Sequence, residues 1–470
     1  MFIEKISEKR GFARNFVALT SSSFLLHFVN LFTNMYLARA LGPENFGKYG
    51  VLITWSGILL SVAALGIDQV STRSVARNQD NSLFYLRLSM MIRLVGLSLV
   101  SILFIVYSLY TKELSFVIVL LILINTLFTS IWNNIQCVAF GMRRMESTGY
   151  INVAGSTILL GVYFFMPSSL VNVTIIFLLL VIVQIFKDIV YYYKSVREGL
   201  FTGDDTLINK MIIKDTIIES LPFYVLVLFS LITNQFPVLF LSENSGNMEV
   251  AYFNTANKLL IPLSVILGTM FQALFPVLVE EKDKQPKKFY KNTKRVLFIV
   301  ISMGVLSCYC VSLFRDDIVL LIYGEEYKST GLVMLTQCWY VVYFSILSLY
   351  GTLYIVLGRD KLLATLSIIN AIVWAPLLWF SSKNGAVSIS YGFVIGAIVN
   401  LVTNSIALYL ADKKMLSILN LSCLNVLMFL GFVFSLMIPN DIHLLYRILA
   451  LAVVGVIGFS LYHKFLRISI

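Results

Sequence analysis

The chain has 470 residues, of which 58% are hydrophobic and only 13% are charged, and its mean hydropathy is +0.85. Soluble globular proteins are about half apolar and about a quarter charged, so this composition excludes a soluble protein and indicates a polytopic membrane protein. The net charge of +11 comes mainly from basic loops on one face of the membrane, and therefore does not indicate a nucleic-acid binder.

Apolar runs long enough to cross a bilayer follow one another along the chain. A helix needs roughly 20 apolar residues to span the hydrocarbon, and the alternating pattern of a membrane barrel is absent. The sequence therefore predicts an all-α polytopic membrane protein. About fourteen transmembrane helices are predicted near 15–38, 46–67, 88–110, 115–138, 149–166, 171–193, 215–241, 250–279, 296–314, 331–357, 362–381, 386–411, 417–438 and 444–463.

A weak internal repeat suggests two six-helix lobes. Phe223–Tyr252 reads like Phe16–Tyr49: each has an apolar helix with a late amide, a polar turn containing glycine, and a tyrosine soon after. Parallel repeats of this kind place a substrate site near mid-membrane at the lobe interface. The predicted division is an N-lobe at 1–195, a cytoplasmic linker at 196–214, a C-lobe at 215–412, and two further helices at 413–470.

The basic residues predict the orientation. Alternate loops on one side of the membrane hold 28 of the 36 lysines and arginines. This bias predicts a protein of the cell (inner) membrane with both termini in the cytoplasm. No loop is long enough for a folded soluble domain. Any function must therefore sit between the helices.

The eighth predicted helix carries a lysine about eight residues inside its end. Asn254 and Asn257 lie close to Lys258 on the helix surface, forming a polar stripe suited to sugar hydroxyls or phosphate oxygens. A charged group at depth is costly and usually faces a cavity, which favours a substrate-binding role. The alternative is a lysine whose ammonium group snorkels to the outer interface.

The first predicted helix carries two amides, Asn30 and Asn34, and an arginine, Arg39, just before the Gly42-Pro43 break. A guanidinium suits a diphosphate, because its planar fork can bind two oxygens. The alternatives are a snorkelling arginine and amides that hold neighbouring helices together.

Two further sets of residues concern movement. Asp68, Arg73 and Arg77 lie at the cytoplasmic mouth of the second helix, where we expect an ion pair that acts as a cytoplasmic gate, a contact with lipid headgroups, or ordinary basic decoration of that face. Four prolines are predicted to kink helices 7 and 8, either as bends that change during transport or as static kinks: Pro222, Pro237, Pro262 and Pro276.

Signals of catalysis are missing from the sequence. It contains no glycine-rich loop ending in GK[ST], no residues resembling a hydrolase triad, and no cysteine spacing typical of a metal site. We therefore expect no enzymatic activity, no catalytic residue, no metal and no organic cofactor. A coupling ion, H⁺ or Na⁺, is left open.

Several motifs resemble a known family. They are YLARALGPENFGKYG (Tyr36–Gly50), LGIDQVSTRSVAR (Leu65–Arg77), GMRRMES (Gly141–Ser147), AYFNTANKLLIPL (Ala251–Leu263), ALFPVL (Ala273–Leu278), IYGEEYKST (Ile322–Thr330) and LGRDK (Leu357–Lys361). They are similar to bacterial polysaccharide flippases of the O-antigen (Wzx) type. These belong to the polysaccharide transporter family of the multidrug/oligosaccharidyl-lipid/polysaccharide (MOP) exporter superfamily.

The resemblance implies a V-shaped, two-lobed transporter that works by alternating access. Its substrate would be an undecaprenyl-diphosphate-linked oligosaccharide, such as an O-antigen or another surface polysaccharide repeat unit, moved to the outer leaflet. That role would belong to lipopolysaccharide or related polysaccharide biosynthesis. The resemblance also implies that Arg39 and Lys258 receive the diphosphate, and that membrane lipids and polysaccharide polymerase machinery are partners.

Two alternatives stay open at this point. A drug/cation antiporter of the multidrug and toxin extrusion (MATE) type would need an intramembrane carboxylate, and the predicted spans hold almost none. A membrane polysaccharide polymerase or ligase would need a large outer loop, and the sequence has none.

Overall fold

The computed structural model consists of α-helices joined by short turns. It describes residues 2–142, 144–198, 201–202, 208–412, 431–437 and 447, with only the backbone described for 2–23 and 268–277. None of these residues lies in a β-strand, and 11 of the described helices are long and apolar enough to cross a membrane. The predicted all-α membrane fold is thereby confirmed. Predicted helices 13 and 14 lie outside the described residues except for 431–437 and 447.

The helices follow the apolar runs closely. They are α1 Phe2–Ala63, α2 Ile67–Arg77, α3 Ser82–Thr111, α4 Phe116–Gly141, α5 Met145–Phe165, α6 Val173–Arg197, α7 Lys210–Asn234, α8 Phe236–Asn244, α9 Asn247–Lys284, α10 Pro286–Ile322, α11 Thr330–Val356, α12 Asp360–Ser382 and α13 Gly385–Ala411.

Helix α1 contains the first two predicted spans, joined at Gly42. This residue has φ 70° and ψ 168°, a backbone conformation that is essentially restricted to glycine. Pro43 follows and begins the second arm, where its missing N–H and fixed φ are tolerated. Gly246, immediately before α9, has φ 91° and ψ 172°. The two copies of the predicted repeat therefore turn on the same glycine conformation.

The seventh predicted span is interrupted. Helix α7 ends at Asn234 and α8 begins at Phe236, so Gln235 separates them. Pro237 has no N–H to donate to the carbonyl of Thr233, which explains the interruption at this point. Pro222 lies inside α7, and α9 runs unbroken across Pro262 and Pro276.

The chain divides by its contacts into two compact units, Met1–Leu239 and Phe240–Ile470. The first unit includes α7, which packs against α2, whereas the sequence assignment placed this helix in the C-lobe. The lobe boundaries at 195, 214 and 412 remain predictions.

Each unit has its own apolar core. In the first unit, α1, α4 and α6 meet around Leu52, Ile122 and Phe177. In the second unit α11 is central, packing against α9, α10 and α13. Residues 431–437 join this second core: Trp339 donates its indole N–H to Ser435 Oγ over 3.0 Å.

Candidate functional site

The polar stripe on α9 lies in the middle of a membrane span. Lys258 is the twelfth residue of the span Asn247–Leu267, about 17 Å along the helix axis and thus about halfway through a bilayer core of roughly 30 Å. Asn254, Asn257 and Lys258 are all half-buried. They lie on the helix face away from the buried residues Ala256 and Leu260.

None of these three side chains forms a hydrogen bond or ion pair with another described residue. Nor are their polar atoms fully buried, unlike the unpartnered polar atoms of several other described residues. Asn254, Asn257 and Lys258 therefore present free donors, and in the case of the amides free acceptors, to accessible space at mid-span. This arrangement fits a cavity-facing stripe.

The candidate residues of α1 behave differently from one another. Asn34 donates its side-chain amide to the backbone carbonyl of Asn30 over 2.6 Å, so part of its hydrogen-bonding capacity is used within its own helix. The Asn30 side chain is half-buried. Arg39 is exposed and lies one turn before the Gly42 break.

The predicted gate residues pair with partners that the sequence analysis did not name. Asp68 in α2 forms an ion pair with Arg93 of α3, not with Arg73 or Arg77. Arg93 is only 1% exposed, and its Nε and Nη1 atoms are buried without a hydrogen-bond partner among the described residues. Its Nη2 atom also lies 3.9 Å from Cys137 Sγ. Asp68 is thus the charge partner of a buried guanidinium.

Arg73 pairs with Glu219 of α7, and its guanidinium lies 6.0 Å from the centre of the Phe223 ring. Both charged side chains are well exposed, so the pair contributes little stability by itself. Arg77 is exposed at the end of α2. The contacts of Arg73 therefore connect α2 to α7 on the face where the sequence predicted a gate.

A cavity of about 470 Å³ lies within the first unit. Its lining residues come from α1, the turn after it, α2, α4 and α7: Leu60, Ser61, Ala64, Gly66, Asp68, Gln69, Asn133, Phe223, Leu226, Val227 and Ser230. Gly66 is required where α7 crosses this turn, because a Cβ there would lie 2.5 Å from the Tyr224 nitrogen. Its φ of +73° also favours glycine.

Helix α6 contains one buried carboxylate, Asp188, which the sequence analysis did not single out. Asp188 is 6% exposed, and its Oδ2 atom has no hydrogen-bond partner among the described residues. Its Oδ1 atom lies 3.5 Å from Gln184 Nε2. The spacing of Gln184, Asp188, Tyr191 and Ser195 along one buried helix face is the signal that could have revealed it.

Lys187, the neighbour of Asp188 in α6, is half-buried. Its ammonium donates to Asn152 Oδ1 over 3.3 Å and lies 5.3 Å from the centre of the Trp132 ring.

Within the described part of the chain, no group of three His, Cys, Asp or Glu residues could hold a metal ion.

Comparisons with known proteins agree with this architecture. The sequence pattern of a family described as polysaccharide biosynthesis protein matches residues 12–282, which is more than half of the chain. The capsular polysaccharide biosynthesis protein CapF of Staphylococcus aureus is 21% identical over 366 residues. That alignment covers 76% of this chain and 88% of CapF.

Solved structures show the same fold. The inward closed conformation of the lipid II flippase MurJ matches with a TM-score of 0.69 at 14% identity, covering 96% of this chain and 99% of MurJ. An inward-facing MATE family multidrug transporter of the MOP superfamily matches with a TM-score of 0.64 at 16% identity, covering 84% and 99%. At such low identity these matches concern the fold alone.

Proposed function

Because the chain belongs to the family of polysaccharide biosynthesis proteins, we propose that it is a flippase for an undecaprenyl-diphosphate-linked oligosaccharide. It would move an O-antigen or another surface polysaccharide repeat unit from the cytoplasmic to the outer leaflet by alternating access. The proposal places it in the cell (inner) membrane with both termini in the cytoplasm, as the distribution of basic residues indicates. The fold shared with the MurJ flippase and a MATE transporter supports a transport function.

The polar stripe on α9 is the observation that carries the substrate assignment. A lysine at mid-span with no carboxylate partner among the described residues is costly in a bilayer unless it faces water or an anion. A diphosphate supplies that anion, and the amides of Asn254 and Asn257 can donate to phosphate oxygens or accept from sugar hydroxyls. Arg39 is the second candidate for the diphosphate.

Binding of undecaprenyl diphosphate by the purified protein in lipid nanodiscs tests this role. Lys258→Ala is expected to weaken binding about tenfold or more, because a hydrogen bond to a charged group contributes roughly 1.5–3 kcal/mol. Lys284→Ala is the matched control: Lys284 lies on the same helix, but outside the span, and pairs with Glu280 over 2.8 Å. It should bind as the wild type does.

Surface glycan in a flippase-deficient host supplies the second readout. The wild type and Lys284→Ala should restore export of a cognate glycan, whereas a normally inserted Lys258→Ala should not. Arg39→Ala tests the second cation in the same way. If both Lys258→Ala and Arg39→Ala bind and export normally, the diphosphate assignment is wrong.

A cation antiporter is the second candidate function, and the buried Asp188 is the observation in its favour. Its Oδ2 atom lacks a partner, so a proton or an exchanged cation could bind there. Efflux of a lipophilic cation that is lost in Asp188→Asn and kept in Asp80→Asn would favour this function. Asp80 is an exposed residue of the same unit.

A further inference from the structure

We propose that the cavity beside Asp68 is a subsite for the sugar portion of the substrate, selective for neutral polyhydroxyl groups over cations. The inference rests on the proposed flippase function and adds the residues that would bind the glycan. It is carried by the lining of the cavity and by the pairing of Asp68 with Arg93.

The cavity has the mixed lining that a sugar requires. The apolar part of the lining includes Leu60, Phe223, Leu226 and Val227, against which the C–H faces of a sugar ring can pack. The polar lining residues come from four different helices and are Ser61, Asp68, Gln69, Asn133 and Ser230. The volume of about 470 Å³ lies in the range of roughly 300–1,000 Å³ typical of small-molecule sites.

Two amides in this lining are available for a ligand. Gln69 of α2 and Asn133 of α4 both line the cavity; Gln69 is exposed and Asn133 is half-buried. Neither side chain forms a hydrogen bond with another described residue. An amide both donates and accepts, as does a sugar hydroxyl, so these groups match in both directions. Ser61 and Ser230 already donate to the carbonyls of Gly57 and Val227, which leaves their oxygens as acceptors.

The charge state of Asp68 determines which ligand it selects. A lone carboxylate in a cavity would attract a cation. Here Arg93, buried and with no other acidic partner among the described residues, neutralises it through one oxygen. The Asp68 side chain nevertheless remains 42% exposed, so it can still accept hydrogen bonds. A neutral ion pair with an accessible acceptor suits hydroxyl groups better than a cationic drug.

The test uses native mass spectrometry of the purified protein with synthetic polyprenyl diphosphates that carry no sugar, one sugar or three sugars. In the wild type, the added sugars should strengthen binding about tenfold relative to the sugar-free lipid. Asn133→Ala and Gln69→Ala should remove most of that gain and leave sugar-free binding unchanged. Ser71→Ala, a buried α2 position outside the cavity lining, is the control and should retain the full gain.

The outcomes separate this inference from the proposed function. If the sugar-free lipid fails to bind even to the wild type, the flippase assignment itself fails. If that lipid binds but Asn133→Ala and Gln69→Ala retain the full gain from sugars, the subsite inference is overturned. Binding of tetraphenylphosphonium that disappears in Asp68→Asn would also overturn it, because the cavity would then select cations.

Discussion

The pair of Asp68 and Arg93 predicts a pronounced asymmetry between two single substitutions. Asp68→Ala leaves a guanidinium that is 1% exposed without its counter-charge. Breaking a buried pair from one side typically costs about 3–5 kcal/mol. Arg93→Met instead removes the buried charge and leaves a carboxylate that is 42% exposed and can be hydrated, so a loss of only about 1 kcal/mol is expected.

The double variant distinguishes this reasoning from a simple loss of contacts. Asp68→Ala combined with Arg93→Met should be clearly more stable than Asp68→Ala alone, because the unpaired buried charge is gone. Thermal unfolding of the four proteins in detergent, followed by fluorescence-detected gel filtration, gives the ranking. Arg77→Ala, an exposed position on the same helix, should unfold like the wild type. Equal losses in the two single variants, or additive losses in the double variant, would refute the argument.

Two further predictions concern single contacts. Gly42→Ala should destabilise the protein by about 1–3 kcal/mol, because alanine strongly disfavours φ 70° with ψ 168°. Gly161→Ala inside α5, where an added Cβ meets nothing within 4 Å, should unfold at the same temperature or higher; equal losses at both glycines would contradict the conformational explanation. Trp339→Phe removes the donor to Ser435 and part of a fully buried ring, and should cost at least about 1 kcal/mol in the same assay; an unchanged melting temperature would contradict this expectation.

The membrane fold could be predicted from the sequence because the bilayer imposes a simple rule. Each backbone polar group must be satisfied within the span, so long apolar runs become helices. The break at Gly42 could also be predicted from the sequence, because glycine and proline interrupt a helix through their own backbone properties. The one-residue interruption at Gln235 was not predicted as a helix end, although Pro237 was predicted to disturb the helix there.

Ion-pair partners could not be predicted in the same way, because they depend on how the helices pack. Asp68 and Arg73 are five residues apart, which places them about 140° apart around the helix and prevents a good contact. The true partners, Arg93 and Glu219, are 25 and 146 residues away from Asp68 and Arg73 respectively. Only the packing of α2 against α3 and α7 brings them together.

The amides show a related limit. A sequence reveals that Asn34 lies on an apolar helix, but not whether its side chain faces a cavity or its own backbone. In the structure it donates to the carbonyl of Asn30, and Asn404 donates to Asn400 in the same way. Asn254 and Asn257 also lie on an apolar helix, but neither has such a partner among the described residues.

The docking of residues 431–437 against α10 and α11 has a practical consequence for work on shortened forms of the protein. Ser435 accepts from the Trp339 indole, and its carbonyl accepts from Ser312 over 3.0 Å. A chain ended at residue 412, where the second predicted lobe stops, would deprive both buried donors of their acceptors. Loss of the proposed export activity in such a shortened protein would then reflect damage to the second unit rather than a transport role of the terminal helices.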